Sequence, residues 1–159
     1  MGTQGSTGAN FDGRSLTVFQ AFTVDARSTR SPEVIFDLLA GSANWPEWSL
    51  IDEAIIQRQG EKHADGVGSV REFRTGKNVI VEEITRFERP ERISYRLLSG
   101  IAVRDYHANI SLEAVEGGTA ISWQTSFRSR VPGMGWLYAR ALKNVTRKIV
   151  RAAISKVEA

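Results

Sequence analysis

The sequence contains no cysteine, which excludes disulfides, thiolate metal sites and a cysteine nucleophile. It has no apolar run that approaches the roughly 18 residues needed to span a bilayer. Its opening residues, MGTQGSTGANFDG, have neither the basic nor the apolar region of a secretory signal. These absences predict a protein that is neither exported nor inserted in a membrane, and we expect it in the cytoplasm.

Histidine is scarce, which bears on metal binding. His63 and His107 are the two histidines, and neither belongs to a spacing typical of metal ligands. The GVGSVR stretch lacks the third glycine of a dinucleotide fingerprint, and the sequence has no P-loop or G-x-S-x-G elbow. We therefore expect no metal, no cofactor and no serine-hydrolase chemistry.

The net charge is small, but it is unevenly distributed. A formal charge of +3 and a pI near 9.5 are too modest to argue for nucleic acid, and we expect no nucleic-acid partner. Basic residues nevertheless recur at helical spacing in the last quarter of the chain, at Arg140, Lys143, Arg147 and Arg151. This basic stripe is either a solvated helix face or a docking site for an anionic membrane surface or acidic partner.

The length of 159 residues is that of one domain. Residues 1–14 are rich in Gly, Ser, Thr and Asn and cannot bury much apolar surface, so we predict a mobile leader there. We assign residues 15–159 to a single domain. We expect a monomer or a homodimer.

Apolar periodicity predicts mostly strands. In SLTVFQAFTVD, alternate residues share one mostly apolar face, which is typical of a strand. Six later runs, separated by short turn-like segments, predict consecutive antiparallel strands. These six runs cover residues 50–59, 66–75, 79–87, 92–99, 104–115 and 119–130.

Two segments have helical periodicity instead. TRSPEVIFDLLAG reads as a short helix, with Ser31 as N-cap, Pro32 at the first position and Gly41 at the end. The last segment, from Pro132 onward, predicts one long helix. Its apolar stripe steps by three or four residues through Leu142, Val145, Ile149, Ala153 and Val157.

This order of elements, together with local patterns, resembles the START-like helix-grip superfamily (SRPBCC). That superfamily includes the birch-pollen allergens, lipid-transfer START domains and the polyketide cyclase/dehydrase family. The matching segments are SPEVIFDLLAGSANWPEWS, GVGSVREFRTG, EEITRFERPERISYRLLSG and GGTAISWQTSF. The resemblance implies an α+β fold: a seven-stranded antiparallel sheet wrapped around a long C-terminal helix, with two short helices after the first strand and a hydrophobic pocket inside.

Strand alternation and the resemblance together suggest the residues that would bind a ligand. Trp45 and Trp48 would lie at the rim of the cavity or plug the end of the sheet. On the third strand we favour the face with Phe73 inward, which brings Arg71 with it. The full set of predicted ligand-binding residues is Trp45, Trp48, Arg71, Phe73, Tyr95, Leu97, Tyr106, Trp123, Phe127 and Trp136.

Three candidates for acid/base chemistry are Arg71, Tyr95 and Glu83. A charged group buried in the pocket would need a partner. Arg71 could bind a carboxylate or polarise a carbonyl of the ligand, or it could point to solvent or pair with a glutamate on an adjacent strand. The alternation of the fourth strand does not decide whether Glu82 or Glu83 faces inward.

Three functions remain open at this point. The first is a carrier or binding protein, non-catalytic or only weakly catalytic, for a hydrophobic small molecule such as a lipid, quinone or polyketide-like compound. The second is a polyketide aromatase/cyclase or dehydratase that uses acid/base groups in the same cavity. The third is a protein-interaction module of the co-chaperone type, whose interior would be filled.

Overall fold

The computed structural model describes residues 18–159. The predicted leader and the start of the predicted first strand lie outside this range. The sheet strands are β1 (Phe19–Ser28), β2 (Glu53–Arg58), β3 (Val70–Thr75), β4 (Asn78–Glu88), β5 (Arg92–Ser99), β6 (Val103–Val115) and β7 (Gly118–Ser129). The helices are α1 (Pro32–Ala40), a 3₁₀ helix (Ser42–Glu47) and α2 (Gly135–Glu158).

All seven strands form one antiparallel sheet in the order β1-β7-β6-β5-β4-β3-β2. The run from β2 to β7 is a meander, and β1 closes the far edge against β7. Alternation places one apolar face of this sheet against α2 and the short helices. The predicted helix-grip fold is therefore confirmed.

Two predicted strands are shorter in the structure, each for a local reason. The second was predicted from residue 50 and begins at Glu53, because Ile51 turns into the core instead of continuing the ladder. The third was predicted from residue 66 and begins at Val70. A turn precedes it, in which Gly66 N–H donates to the His63 carbonyl and Gly68 has a φ of +85°.

Helix α1 has the predicted bounds, whereas α2 differs in detail from the prediction. Helix α2 begins at Gly135, three residues after Pro132, because Gly133 has a φ of +76° that a helix cannot contain. Within α2, Val145 of the predicted buried stripe is exposed, whereas Thr146 next to it is buried. In α1, the residue that packs deepest is Phe36, whose ring meets Phe87 edge-on at 5.1 Å.

Candidate functional site

A cavity of about 300 Å³ lies between the inner face of the sheet and α2. Leu50 and Val145 line it and are partly exposed, so they border its opening. The walls come from five strands, from α2 and from the segment around the 3₁₀ helix. The lining residues are Trp45, Leu50, Ile51, Phe73, Thr75, Asn78, Ile80, Glu82, Tyr95, Leu97, Ile101, Tyr106, Trp123, Leu142, Val145, Thr146 and Ile149.

Trp45 forms the wall at the 3₁₀ helix. Its indole Nε1–H donates to the Leu39 carbonyl at 3.1 Å, which fixes the ring against the end of α1. The ring stacks on Phe73 at 4.8 Å between centroids. Pro46 limits the backbone at the next position, and the short helix turns the tryptophan inward. Trp45 therefore closes one end of the cavity as a rigid aromatic plate.

Arg71 and Glu82 carry the buried charges of the site. They lie opposite each other on β3 and β4, and the Arg71 guanidinium donates to Glu82 Oε1 through Nε at 3.1 Å and also through Nη2. The remaining nitrogen, Nη1, faces the Ala40 carbonyl at 3.4 Å. Burial raises the pKa of the Glu82 carboxyl, and the Arg71 charge opposes this shift.

Tyr95, Tyr106 and Trp123 form the aromatic floor on the sheet. Tyr95 lies 6.2 Å from both other rings and meets Trp123 edge-on. Burial raises the pKa of Tyr106 to about 12 and raises that of Tyr95 well above its usual value. Both phenols therefore stay neutral at physiological pH and can offer hydrogen bonds without charge.

Six of the ten predicted ligand-binding residues line the cavity: Trp45, Phe73, Tyr95, Leu97, Tyr106 and Trp123. The other four do not. Trp48 packs beside Trp45, with centroids 5.1 Å apart, and does not line the cavity. Phe127 is on the predicted inner face, but it is completely buried and stacks on Tyr106 at 6.2 Å.

The other two exceptions have different causes. Trp136 is 62% exposed in the first turn of α2 and faces away from the sheet. Arg71 faces inward as expected, but its pairing with Glu82 holds it behind the cavity wall. The structure thus shows the alternative given for Arg71, a pair with a glutamate on the adjacent strand, and contact between Arg71 and a ligand stays a prediction.

The catalytic candidate Glu83 is on the wrong face of β4. It contacts Arg58 at 3.1 Å and Arg96 at 3.3 Å on the outer surface of the sheet. Glu82 is the inward glutamate and lines the cavity. The pairing between β4 and β5 is irregular after Val81 and again after Ile84. Alternation along β4 alone therefore does not determine which glutamate faces inward.

Helix α2 contributes residues that were not assigned to the pocket from the sequence: Leu142, Val145, Thr146 and Ile149. Their spacing of three and four residues was visible as an apolar stripe. The sequence did not show which part of this stripe packs against the sheet and which part borders empty space. Thr146 differs from the rest, because its hydroxyl donates to the Leu142 carbonyl at 2.9 Å.

The basic stripe runs along the outer side of α2. Arg140, Arg147 and Arg151 are exposed and Lys143 is half-buried. No helix among residues 18–159 combines the length and hydrophobicity needed to cross a bilayer. In the same range, no group of three or more His, Asp or Glu side chains is arranged to hold a metal ion.

Residues 20–159 match the family described as "Polyketide cyclase / dehydrase and lipid transport". The chain belongs to this family. Members share the fold described above, and a hydrophobic ligand-binding role is the general expectation for it. The match covers every element from β1 to the end of α2, so the cavity is built entirely from the family domain.

The chain is also similar to individual mycobacterial proteins. An uncharacterized protein of Mycobacterium tuberculosis (strain ATCC 25618 / H37Rv) is 28% identical over 133 residues, which cover 81% of this chain and 78% of that protein. An uncharacterized protein of Mycobacterium bovis matches to the same extent. The names of these relatives give neither a family nor an activity.

Solved structures support the fold. A START superfamily protein from Mycobacterium smegmatis has a TM-score of 0.72 at 14% identity, covering 88% of this chain and 97% of that one. The allergen Ara h 8.0201 has a TM-score of 0.70 at 18% identity, covering 88% of this chain and 98% of that one. At such low identity the likeness concerns the fold alone.

Proposed function

We propose that this protein is a carrier or binding protein for a hydrophobic small molecule, such as a lipid, quinone or polyketide-like compound. The observation that supports this most is the cavity between the sheet and α2, which is lined mainly by aromatic and aliphatic side chains. Its volume lies at the lower end of the range typical of ligand pockets. A compact ligand of one or two rings, or a short chain, suits it best.

The alternatives fit the arrangement less well. A cyclase or dehydratase needs acid/base groups that face the substrate. Of the charged candidates, Glu83 lies outside, and Glu82 and Arg71 are engaged with each other. A protein-interaction module would have a filled interior, and the cavity argues against that reading. Tyr95 remains as a neutral hydrogen-bond donor, which suits binding as well as catalysis.

Mass spectrometry of the purified protein tests the proposal, first in the native state and then after organic extraction. A stoichiometric apolar molecule is expected in both. A variant with a filled cavity supplies the control: Leu97→Trp adds bulk on the lining face of β5, whereas Leu98→Trp adds the same bulk at the next, exposed position. Only the Leu97 variant should lose the ligand. Retention by both variants would place the ligand elsewhere.

We also propose a place where the protein takes up and releases its ligand. Val145, which borders the opening of the cavity, is on the same helix as the exposed Arg140, Arg147 and Arg151. Exposed apolar residues accompany them, and Trp136 is of the type that sits at membrane interfaces. This combination supports reversible docking of α2 on an anionic membrane surface, where an apolar ligand could enter without crossing water.

A further inference from the structure

We propose that the cavity selects a neutral apolar ligand with a hydrogen-bond acceptor, such as a ketone or quinone oxygen, over an acidic ligand of the same shape. This inference rests on the proposed function and narrows its ligand class. It derives from two features of the cavity wall: a polar group on the sheet that has no partner, and the way in which the buried charges are already used.

Trp123 provides the first feature. Its side chain lines the cavity and is almost completely buried, and its indole Nε1 makes no hydrogen bond of normal geometry among residues 18–159. The nearest acceptor is the Tyr95 oxygen, which lies close enough for Trp123 to lower the pKa of that phenol slightly against the larger effect of burial. An indole N–H can only donate, so it requires an acceptor. Leaving a buried donor unpaired is unfavourable, and a ligand oxygen placed against it would remove that penalty.

A side chain next to Trp123 adds a second polar group to the cavity floor. The phenol ring of Tyr95 meets Trp123 edge-on. The floor of the cavity therefore has two neutral groups that can donate hydrogen bonds, the Trp123 indole and the Tyr95 phenol, inside walls that are otherwise mainly apolar.

The second feature is the absence of a free cation. Glu82 is the one charged side chain in the described lining, and its carboxylate is negative when paired with Arg71. All three guanidinium nitrogens of Arg71 face protein acceptors, on Glu82 and Ala40, and Arg71 does not line the cavity. A ligand carboxylate would lose its hydration without gaining a positive partner.

A matched set of naphthalenes tests both features. The compounds are 2-acetylnaphthalene, 2-isopropenylnaphthalene, in which a CH₂ group replaces the ketone oxygen, and 2-naphthoate, in which an O⁻ replaces the methyl group. Affinities are measured at neutral pH by calorimetry, or by displacement of the apolar fluorescent probe N-phenyl-1-naphthylamine. Wild type is expected to bind the ketone at least tenfold more tightly than the naphthoate.

The role of Trp123 is measured as the loss of affinity for each compound when the variant is compared with wild type. The hydration free energy of a compound is the same in both measurements and therefore cancels. In Trp123→Phe, the ketone should lose about tenfold more affinity than the alkene. Trp45→Phe is the matched control. It removes an indole N–H from the same cavity, but one already bonded to the Leu39 carbonyl, so the two compounds should be affected equally.

The outcomes separate this inference from the proposed function. Equal losses of ketone and alkene in Trp123→Phe, or naphthoate binding as tight as the ketone in wild type, would overturn the inference and leave the proposed function standing. If wild type binds neither the naphthalenes nor the fluorescent probe, both are overturned. A second variant, Glu82→Gln, should strengthen naphthoate relative to ketone, because it leaves the Arg71 charge uncompensated.

Discussion

Arg71 and Glu82 form an ion pair between adjacent strands on the inner face of the sheet, with side chains only 3% and 7% exposed. Taking two charges out of water is unfavourable, and their attraction offsets this only while both partners are present. Glu82 lines the cavity, whereas Arg71 lies behind the wall, with its guanidinium 5.3 Å from the Phe73 ring and 5.8 Å from the Trp45 ring. Arg71 therefore packs against the aromatic wall from the side away from the cavity.

Breaking this pair from one side should be strongly destabilising. We expect Glu82→Gln to lower the free energy of unfolding by about 3–5 kcal/mol, because Arg71 would remain buried without a counter-charge. Urea denaturation followed by circular dichroism measures this. The neighbouring Glu83→Gln is the matched control: its pairs with Arg58 and Arg96 are at the surface, and about 1 kcal/mol or less is expected.

The double variant Arg71→Met/Glu82→Leu tests the same argument from the opposite direction. Replacing both partners by apolar residues of similar size removes the desolvation penalty together with the attraction. We expect it to be more stable than Glu82→Gln alone. A double variant as unstable as the single one would show that the pair stabilises the sheet by more than mutual compensation of charge.

The fold could be predicted because each element has a clear period. Ile121, Trp123, Thr125 and Phe127 alternate along β7, and all four are buried on one face as that pattern predicts. The order of strands and helices along the chain is then compatible with only a few folds. Arg71 could be placed inward for the same reason, because it shares a face with Phe73.

The partner of Arg71 could not be predicted, because two glutamates follow each other on β4. A shift of one residue exchanges the faces of a strand, and nothing in NVIVEEITRF fixes the register. Trp136 was misplaced for a different reason: a large aromatic residue is usually at least partly buried, and only the start of α2 at Gly135 determines that this ring points outward. Cavity and packed core look alike in a sequence, since both require apolar residues.

The C-terminus of α2 is held by Glu158, and this contact should depend on pH. Glu158 Oε1 accepts hydrogen bonds from the Thr29 amide at 2.8 Å and the Ser28 hydroxyl at 2.9 Å. These bonds, the Thr29 amide first, lower the pKa of Glu158 in the folded state. The stability that it contributes is therefore present above its unfolded pKa of about 4.5 and is lost as the pH falls through the lower, folded value.

Thermal melts of Glu158→Gln and wild type across this pH range measure the effect. The variant should melt at a lower temperature at neutral pH. The difference between the two proteins should shrink on acidification below pH 4.5, since Glu158 of the wild type then becomes protonated. A difference that stays constant with pH would mean that the ionised form is not favoured by the contact.

Tryptophan fluorescence should report on the cavity through two of the four tryptophans. Trp45 and Trp123 line the cavity, so a bound aromatic ligand should quench or shift their emission. Trp136→Phe removes an exposed ring, and we expect the ligand-induced change to remain and stability to change by at most about 0.5 kcal/mol. If the ligand-induced change in fluorescence disappeared in Trp136→Phe, the result would indicate that the ligand binds at the start of α2.

Membrane docking through the basic stripe should depend on charge and on salt. We expect the protein to sediment with vesicles that contain phosphatidylglycerol and not with purely phosphatidylcholine vesicles, and to be released as salt rises. Arg140→Gln/Arg147→Gln should weaken this binding by about 2 kcal/mol, or roughly 30-fold, because each arginine near an anionic surface contributes about 1 kcal/mol. Arg27→Gln/Arg104→Gln removes the same charge from exposed strand positions and is the control. Equal losses in the two double variants would mean that net charge attracts the protein to the vesicle and that α2 has no special role.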